Sequence, residues 1–138
     1  MNSITYVENT LPEQESFFQL LLTTGWNDEY HFTSSDTQAA LAASWYRVSA
    51  YDGDKLVGFG RVVSDGKWHA LITEMIVLPE YQGQGIGKQV LQLLTKTCEK
   101  HEIRDIQLFA AKGKVPFYEK NGFQRRPEEG PGMEKRRK

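Results

Sequence analysis

Between Leu78 and Lys88 the chain reads Leu-Pro-Glu-Tyr-Gln-Gly-Gln-Gly-Ile-Gly-Lys, with glycines alternating at 83, 85 and 87 after Gln82. Glycine has no Cβ, so such a run turns tightly and lets backbone N–H groups approach a ligand. An apolar strand pattern precedes it and an amphipathic helix pattern follows. The N–H groups therefore stand at a helix N-terminus, where the dipole adds about half a positive charge. The chemistry this predicts is anion binding. The donors are the N–H groups of Gly83, Gln84, Gly85, Ile86, Gly87 and Lys88, and the Lys88 ammonium is a point charge that can reach a phosphate. Two common phosphate loops are excluded. A P-loop needs Ser or Thr after Gly-Lys, where Gln89 stands, and a dinucleotide fingerprint needs a third glycine where Lys88 or Val90 stands.

A carboxylate is the second chemical signal. Glu74 interrupts the run Ala70-Leu71-Ile72-Thr73-Glu74-Met75-Ile76-Val77-Leu78. A central strand of an α/β protein is covered on both faces, so an unpaired carboxylate there is costly and has to be bonded or at work. Strand alternation predicts that Glu74 shares a face with Ile72 and Ile76.

The glycine run also fits Q-x-x-G-x-G, read as Gln82, Gly85 and Gly87, and Val115-Pro116-Phe117-Tyr118-Glu119-Lys120-Asn121-Gly122-Phe123 fits F-Y-x-x-x-G-F. In these two motifs and their order the chain resembles the GNAT superfamily of N-acetyltransferases. The resemblance covers residues 69–126; the first 68 residues are similar only in the order of their elements. It implies acetyl-CoA as cosubstrate, its pyrophosphate on the glycine loop and its pantetheine amides paired with backbone at Ile76, Val77 and Leu78. It further implies direct attack by a primary amine of a small molecule or peptide, with Tyr118 as general acid to the departing thiolate. A thiol pKa near 8.5 against a phenol near 10 makes full proton transfer uphill by about 2 kcal/mol, so Tyr118 is better described as hydrogen-bonding the developing charge. An amine acceptor gives Glu74 a task, because only about 0.04% of an alkylamine is free base at pH 7 and a proton acceptor helps, directly or through water. The alternative for Glu74 is structural: bonding neighbouring backbone, or pairing with an arginine such as Arg61.

The elements that must position these residues alternate without repeats or long linkers. Ile4 to Val7 reads as a strand. Thr10-Leu11-Pro12-Glu13 reads as a capping box opening a helix that stops at Gly25, and Ser35 with Gln38 as the cap of a second helix ending at Trp45. Tyr46 to Tyr51, Leu56 to Val63 and His69 to Leu78, separated by Asp-Gly turns, read as an antiparallel meander. Ile86, Val90, Leu93, Leu94 and Thr97 recur at helical spacing. Ile106 to Ala110 is expected to run parallel to the strand ending at Leu78, because a helix connects them. Pro116 suits the first position of a short helix and Gly122 its C′ position, and Phe123 to Arg125 and Met133 to Lys135 are expected to finish the sheet. The fold class is α/β (α+β): as the resemblance implies, a mixed, mostly antiparallel twisted sheet of six to seven strands, flanked by about four helices, with a V-shaped split between the two central parallel strands.

Bulk properties add limits. The 138 residues suit one acetyltransferase domain, 1–138. Net charge is −1, so no strong field favours nucleic acid or an acidic membrane surface, although Lys135-Arg136-Arg137-Lys138 makes a short basic tail. The absence of a signal-peptide pattern and the single cysteine make a reducing cytoplasm the expectation. His31, His69 and His101 lack ligand spacing with one another or with Cys98, so no metal is expected, and Cys98 reads as a small buried residue. Trp26 to His31 form a polar and aromatic loop that in similar proteins often lines the acceptor side. Two further classes stand beside the acetyltransferase. One is a coenzyme A-binding regulatory module without turnover; the other, a nucleic-acid binder using the tail, lacks a basic aromatic surface in the chain interior. The acceptor is not readable. The ending Gly-Met-Glu-Lys-Arg-Arg-Lys is similar to glucosamine-phosphate acetyltransferases and makes an amino-sugar phosphate the alternative acceptor. The resemblance also admits a homodimer.

Overall fold

The computed structural model describes residues 3–136. In chain order the elements are β1 (Ile4–Glu8), α1 (Gln14–Leu22), α2 (Ser34–Ala42), β2 (Tyr46–Asp52), β3 (Lys55–Ser64), β4 (His69–Val77), α3 (Ile86–Lys100), β5 (Asp105–Leu108) and α4 (Val115–Lys120), with a 3₁₀ turn at Pro79–Tyr81. The strands form one sheet in the order β1-β2-β3-β4-β5, antiparallel from β1 through β4. Arg104 and Asp105 N–H donate to Lys67 and Trp68 carbonyls, so β5 enters beside β4 running the same way. Residues up to Gln107 make one compact unit and those from Leu108 a second.

The sheet has five strands rather than six or seven. Neither Phe123 to Arg125 nor Met133 to Lys135 forms a strand; of the basic tail, Arg137 and Lys138 lie outside the described residues. Pro127, Gly130, Pro131 and Gly132 interrupt this stretch, and its bonds are local: Gly130 N–H donates to Pro127 O (2.9 Å) and Arg126 Nε to Gly130 O (2.8 Å).

Two helix starts also differ from expectation. Leu11 precedes a proline, which disfavours helical backbone at Leu11. The N-cap of α1 is Glu13, whose carboxylate accepts from Glu15 N–H (2.8 Å) and Ser16 N–H (3.2 Å). α2 begins two residues early because Thr33 and Asp36 make the reciprocal box: Asp36 N–H donates to Thr33 Oγ1 (3.1 Å) and Thr33 N–H to Asp36 Oδ2 (2.9 Å). At its other end, buried Arg47 of β2 donates to the carbonyls of Leu41, Ala42 and Ser44 and fixes the helix to the sheet.

Both faces of the sheet are covered. Phe17 of α1 meets Phe59 of β3 edge-on at 4.9 Å between centroids. On the opposite face α3 packs against glycines: a Cβ on Gly60 would stand 2.7 to 2.9 Å from Met75, Leu94 and Val90, and one on Gly58 would stand 2.9 Å from Ile86. Ile86, Val90, Leu91, Leu94 and Cys98 are the buried stripe of α3. Cys98 is 0% exposed, and burial pushes its thiol up to about 11.

Candidate active site

The glycine loop is held from both sides. Gly83 (φ 80°) and Gly85 (φ 86°) have left-handed backbone that a side chain would strain, whereas Gly87 lies inside the first turn of α3 with no such requirement. A Cβ at either left-handed glycine would meet nothing within 4 Å. Here the glycines serve the turn, and the loop surface stays open for approach. Side chains cap α1 and α2, but none caps α3. Its first intrahelical bond runs from Gln89 N–H to Gly85 O (3.0 Å), so the N–H groups of Ile86, Gly87 and Lys88 have no intrahelical acceptor. Lys88 is exposed beside them. This end of α3 fits a phosphate.

Gln82 and Tyr81 anchor the loop. The Gln82 amide donates to Val77 O (3.0 Å), and Leu78 N–H donates to Val57 O (2.9 Å). These two of the backbone groups expected to meet pantetheine are thus engaged within the protein. The Tyr81 hydroxyl donates to the Asp52 carboxylate, which raises the phenol's pKa, and Lys55 Nζ lies 5.5 Å from the ring centroid. The hairpin between β2 and β3 is thereby tied to the loop entry.

Glu74 sits at a bulge. Arg61 pairs with Thr73 and Phe59 with Ile76, so Glu74 and Met75 together oppose Gly60. Beyond the bulge the alternation is reset: Ile72, opposite Val62, and Ile76, opposite Phe59, face opposite sides of the sheet, so Glu74 does not share one face with both. Glu74 has φ 51°, uncommon for a residue with a side chain. Its Oε1 accepts from Arg61 Nε at 2.6 Å, and its Oε2 accepts from Thr73 Oγ1 at 3.2 Å. Arg61 also donates to Ala40 O (3.1 Å) and Ser44 Oγ (3.3 Å). The arginine partner expected by the structural reading of Glu74 is present. The carboxylate also opens onto a cleft.

That cleft, about 480 Å³, lies between α1, α2 and the sheet. Its lining is mainly apolar, from Phe17, Leu21, Trp26, Phe32 and Leu41, with Asp36, Arg61 and Glu74 as its charged groups. Thr33 N–H, and then its hydroxyl, hold the Asp36 carboxyl below the usual range. Buried Asn27 fixes the rim: its amide donates to Phe32 O (2.9 Å) and accepts from Phe32 N–H (2.8 Å). Phe32 also stacks on Tyr30 at 5.9 Å. Of these residues the sequence signalled the 26–31 loop, Glu74, and Arg61 as its structural partner. Phe17, Leu41 and Asp36, which stand within α1 and α2, carried no such signal.

Tyr118 belongs to the second unit. α4 begins at Val115, placing Pro116 one position later than expected, and ends in a Schellman motif: Gly122 (φ 95°) is C′, and Phe123 N–H reaches back to Tyr118 O (3.1 Å). The Tyr118 ring is edge-on to Phe117 (5.1 Å) and Phe123 (5.9 Å). The spacing F-Y-x-x-x-G-F is thus a structural unit that fixes the tyrosine. Burial raises the phenol's pKa, which keeps it a proton donor across neutral pH. Among the described residues no group of three or more His, Cys, Asp or Glu could hold a metal, and no helix is long and apolar enough to cross a membrane.

The sequence profile of the Acetyltransferase (GNAT) domain matches residues 43–125. The chain belongs to the GNAT acetyltransferase family. A GNAT family acetyltransferase from Streptococcus pneumoniae is 31% identical, with a TM-score of 0.75 over 89% of each chain. A Staphylococcus aureus protein of unknown function is 26% identical, with a TM-score of 0.85 over 98% of this chain and 100% of that one. GCN5-related N-acetyltransferase 2, chloroplastic, of Arabidopsis thaliana is 42% identical over 79 residues, which are 57% of this chain and 31% of that protein. The ycf52 N-acetyltransferase of Pyropia yezoensis matches at the same identity over 45% of its length. The chain thus spans less than half of these curated relatives. The GNAT profile takes in β2 to α4 and leaves out β1, α1, α2 and the aromatic loop between the two helices.

Proposed function

We propose that the protein transfers an acetyl group from acetyl-CoA to a primary amine by direct attack. The observation that carries this reading is the uncapped N-terminus of α3 behind two left-handed glycines, within a GNAT domain. In the proposal the N–H groups of the loop and first turn of α3 hold the pyrophosphate, with Lys88 adding charge. Glu74 faces the amine, takes its proton directly or through water, and passes it to solvent. As the nitrogen bonds to the thioester carbonyl carbon and the carbon–sulfur bond breaks, Tyr118 hydrogen-bonds the charge developing on the leaving sulfur, and the departing thiolate takes its proton from solvent. Support for acyl-CoA chemistry comes from the family, and from a Thermoplasma acidophilum N-acetyltransferase of the same fold, solved with coenzyme A.

Thermal unfolding with acetyl-CoA tests the loop. A ligand that binds the native state at about a hundred times its Kd adds roughly 2.7 kcal/mol, which raises Tm by several degrees. Gly85→Val is expected to abolish the shift, because valine opposes the left-handed backbone and its branch crowds the approach. A Gly85→Val protein with the parent shift would remove the loop from the cofactor site.

A further inference from the structure

Building on the acetyltransferase reading, we propose that the acceptor is a small primary amine on an apolar alkyl or aryl body. Its ammonium is directed to Asp36 and Glu74, and its body lies against Phe17, Leu21, Trp26 and Phe32. Three observations lead there. The volume, about 480 Å³, suits a small organic molecule. Next, the lining is mainly apolar, and its two uncharged polar side chains, Asn27 and Thr37, are both buried and already bonded within the protein. Hydroxyl groups of a sugar would lose water there and find Asn27 engaged with Phe32 and Thr37 Oγ1 with Ser34 O (2.9 Å). The charge is the third. Arg61 and Glu74 balance one another in their ion pair, which leaves the Asp36 carboxylate as the unbalanced charge of the lining. A cation is therefore attracted and a phosphate dianion repelled, which sets this cleft against the amino-sugar phosphate that the C-terminal residues suggested. A polyamine fits the carboxylates but places its further charges against the apolar walls.

The rim is preorganised for this task. Trp26 and Phe32 are 46% and 45% exposed, yet Asn27 clamps the loop that carries them through two hydrogen bonds. Large exposed aromatics on a fixed loop offer a ligand area without an ordering cost.

The experiment uses two readouts on the full chain. Thiol release from acetyl-CoA gives kcat/KM, and titration calorimetry without acetyl-CoA gives amine affinity. The amines are n-propylamine to n-hexylamine, 2-phenylethylamine, glucosamine, glucosamine 6-phosphate, spermidine and a lysine-containing peptide. Both affinity and kcat/KM are expected to rise about fourfold per methylene, the worth of one buried CH₂. The amino sugars should fall at least about a hundredfold below hexylamine. Trp26→Ala, at an exposed position, should lower kcat/KM for 2-phenylethylamine about tenfold while leaving the KM for acetyl-CoA unchanged. Faster turnover of glucosamine 6-phosphate, spermidine or the peptide than of hexylamine overturns the acceptor class and leaves the acetyltransferase standing. Rising affinity along the series without thiol release from any amine overturns the acetyltransferase and leaves the cleft assignment standing. A flat series in both readouts, or an unaltered Trp26→Ala protein, overturns the cleft assignment.

Discussion

Tyr118 and Glu74 reach their positions by different local devices, and the devices determine what their removal does. The Tyr118 ring is fixed by Phe117, Phe123 and the Schellman bond, none of which uses the hydroxyl. Tyr118→Phe should therefore keep the fold and lower kcat by about 10² to 10⁴, with a smaller loss for an acyl donor whose thiol has a lower pKa. Steady-state kinetics with two donors checks this; equal, undiminished kcat for both would make the phenol a packing residue. Burial raises the phenol's folded-state pKa above its unfolded value near 10, so its contribution to stability is complete below pH 10 and lost as pH climbs through the folded value. For the same reason kcat should show no descending limb below pH 10. Glu74 is tied to Arg61, so Glu74→Gln should have two effects. It should lower stability by about 1 to 3 kcal/mol, because a half-buried guanidinium loses its carboxylate. It should also leave a depressed kcat/KM that keeps rising with pH as free amine accumulates. A parent-like pH profile in the folded variant would confine Glu74 to its ion pair.

At the scale of elements, the closeness of α3 to the sheet sets where the glycine loop stands. Gly60→Ala puts a methyl group within 2.7 to 2.9 Å of Met75, Leu94 and Val90, so a cost of about 1 to 3 kcal/mol is expected. Denaturant unfolding measures that cost, and a rise in the KM for acetyl-CoA should accompany it as the helix moves outward. α3 and its loop were legible in the sequence because the periodicity is long and the glycines are local signals. The meander was legible for the same reason, its turns being marked by Asp-Gly. The start of α2 was not, since Thr33, Ser34 and Ser35 all qualify as caps and the choice falls to the residue whose partner three positions on is an ionised Asp36. The bulge at Glu74 was hidden because register depends on β3, a separate stretch of chain. The missing strands after α4 show the reverse: Phe123 to Arg125 and Met133 to Lys135 hold one apolar residue each, and the prolines and glycines between them break any longer run.

For the whole molecule, recognition and chemistry have different sequence visibility. The loop, Glu74 and Tyr118 lie within the span of the GNAT profile, while Phe17, Trp26 and Phe32 come from before it. The cleft they line exists once α1 and α2 pack on the sheet, which no local pattern announces. On the opposite face, the packing of α3 leaves the chain's single cysteine on the sheet side of that helix, fully enclosed and with its thiol pushed up to about 11. A thiol-reactive dye at pH 8 will therefore colour only with released coenzyme A, and the protein contributes no background. On a longer timescale the buried sulfur becomes a clock. Each labelling event requires α3 to part from the sheet, so the slow native rate reads the population of the opened state. Acetyl-CoA seated at the far end of that helix should slow the clock about a hundredfold at a hundred times its Kd.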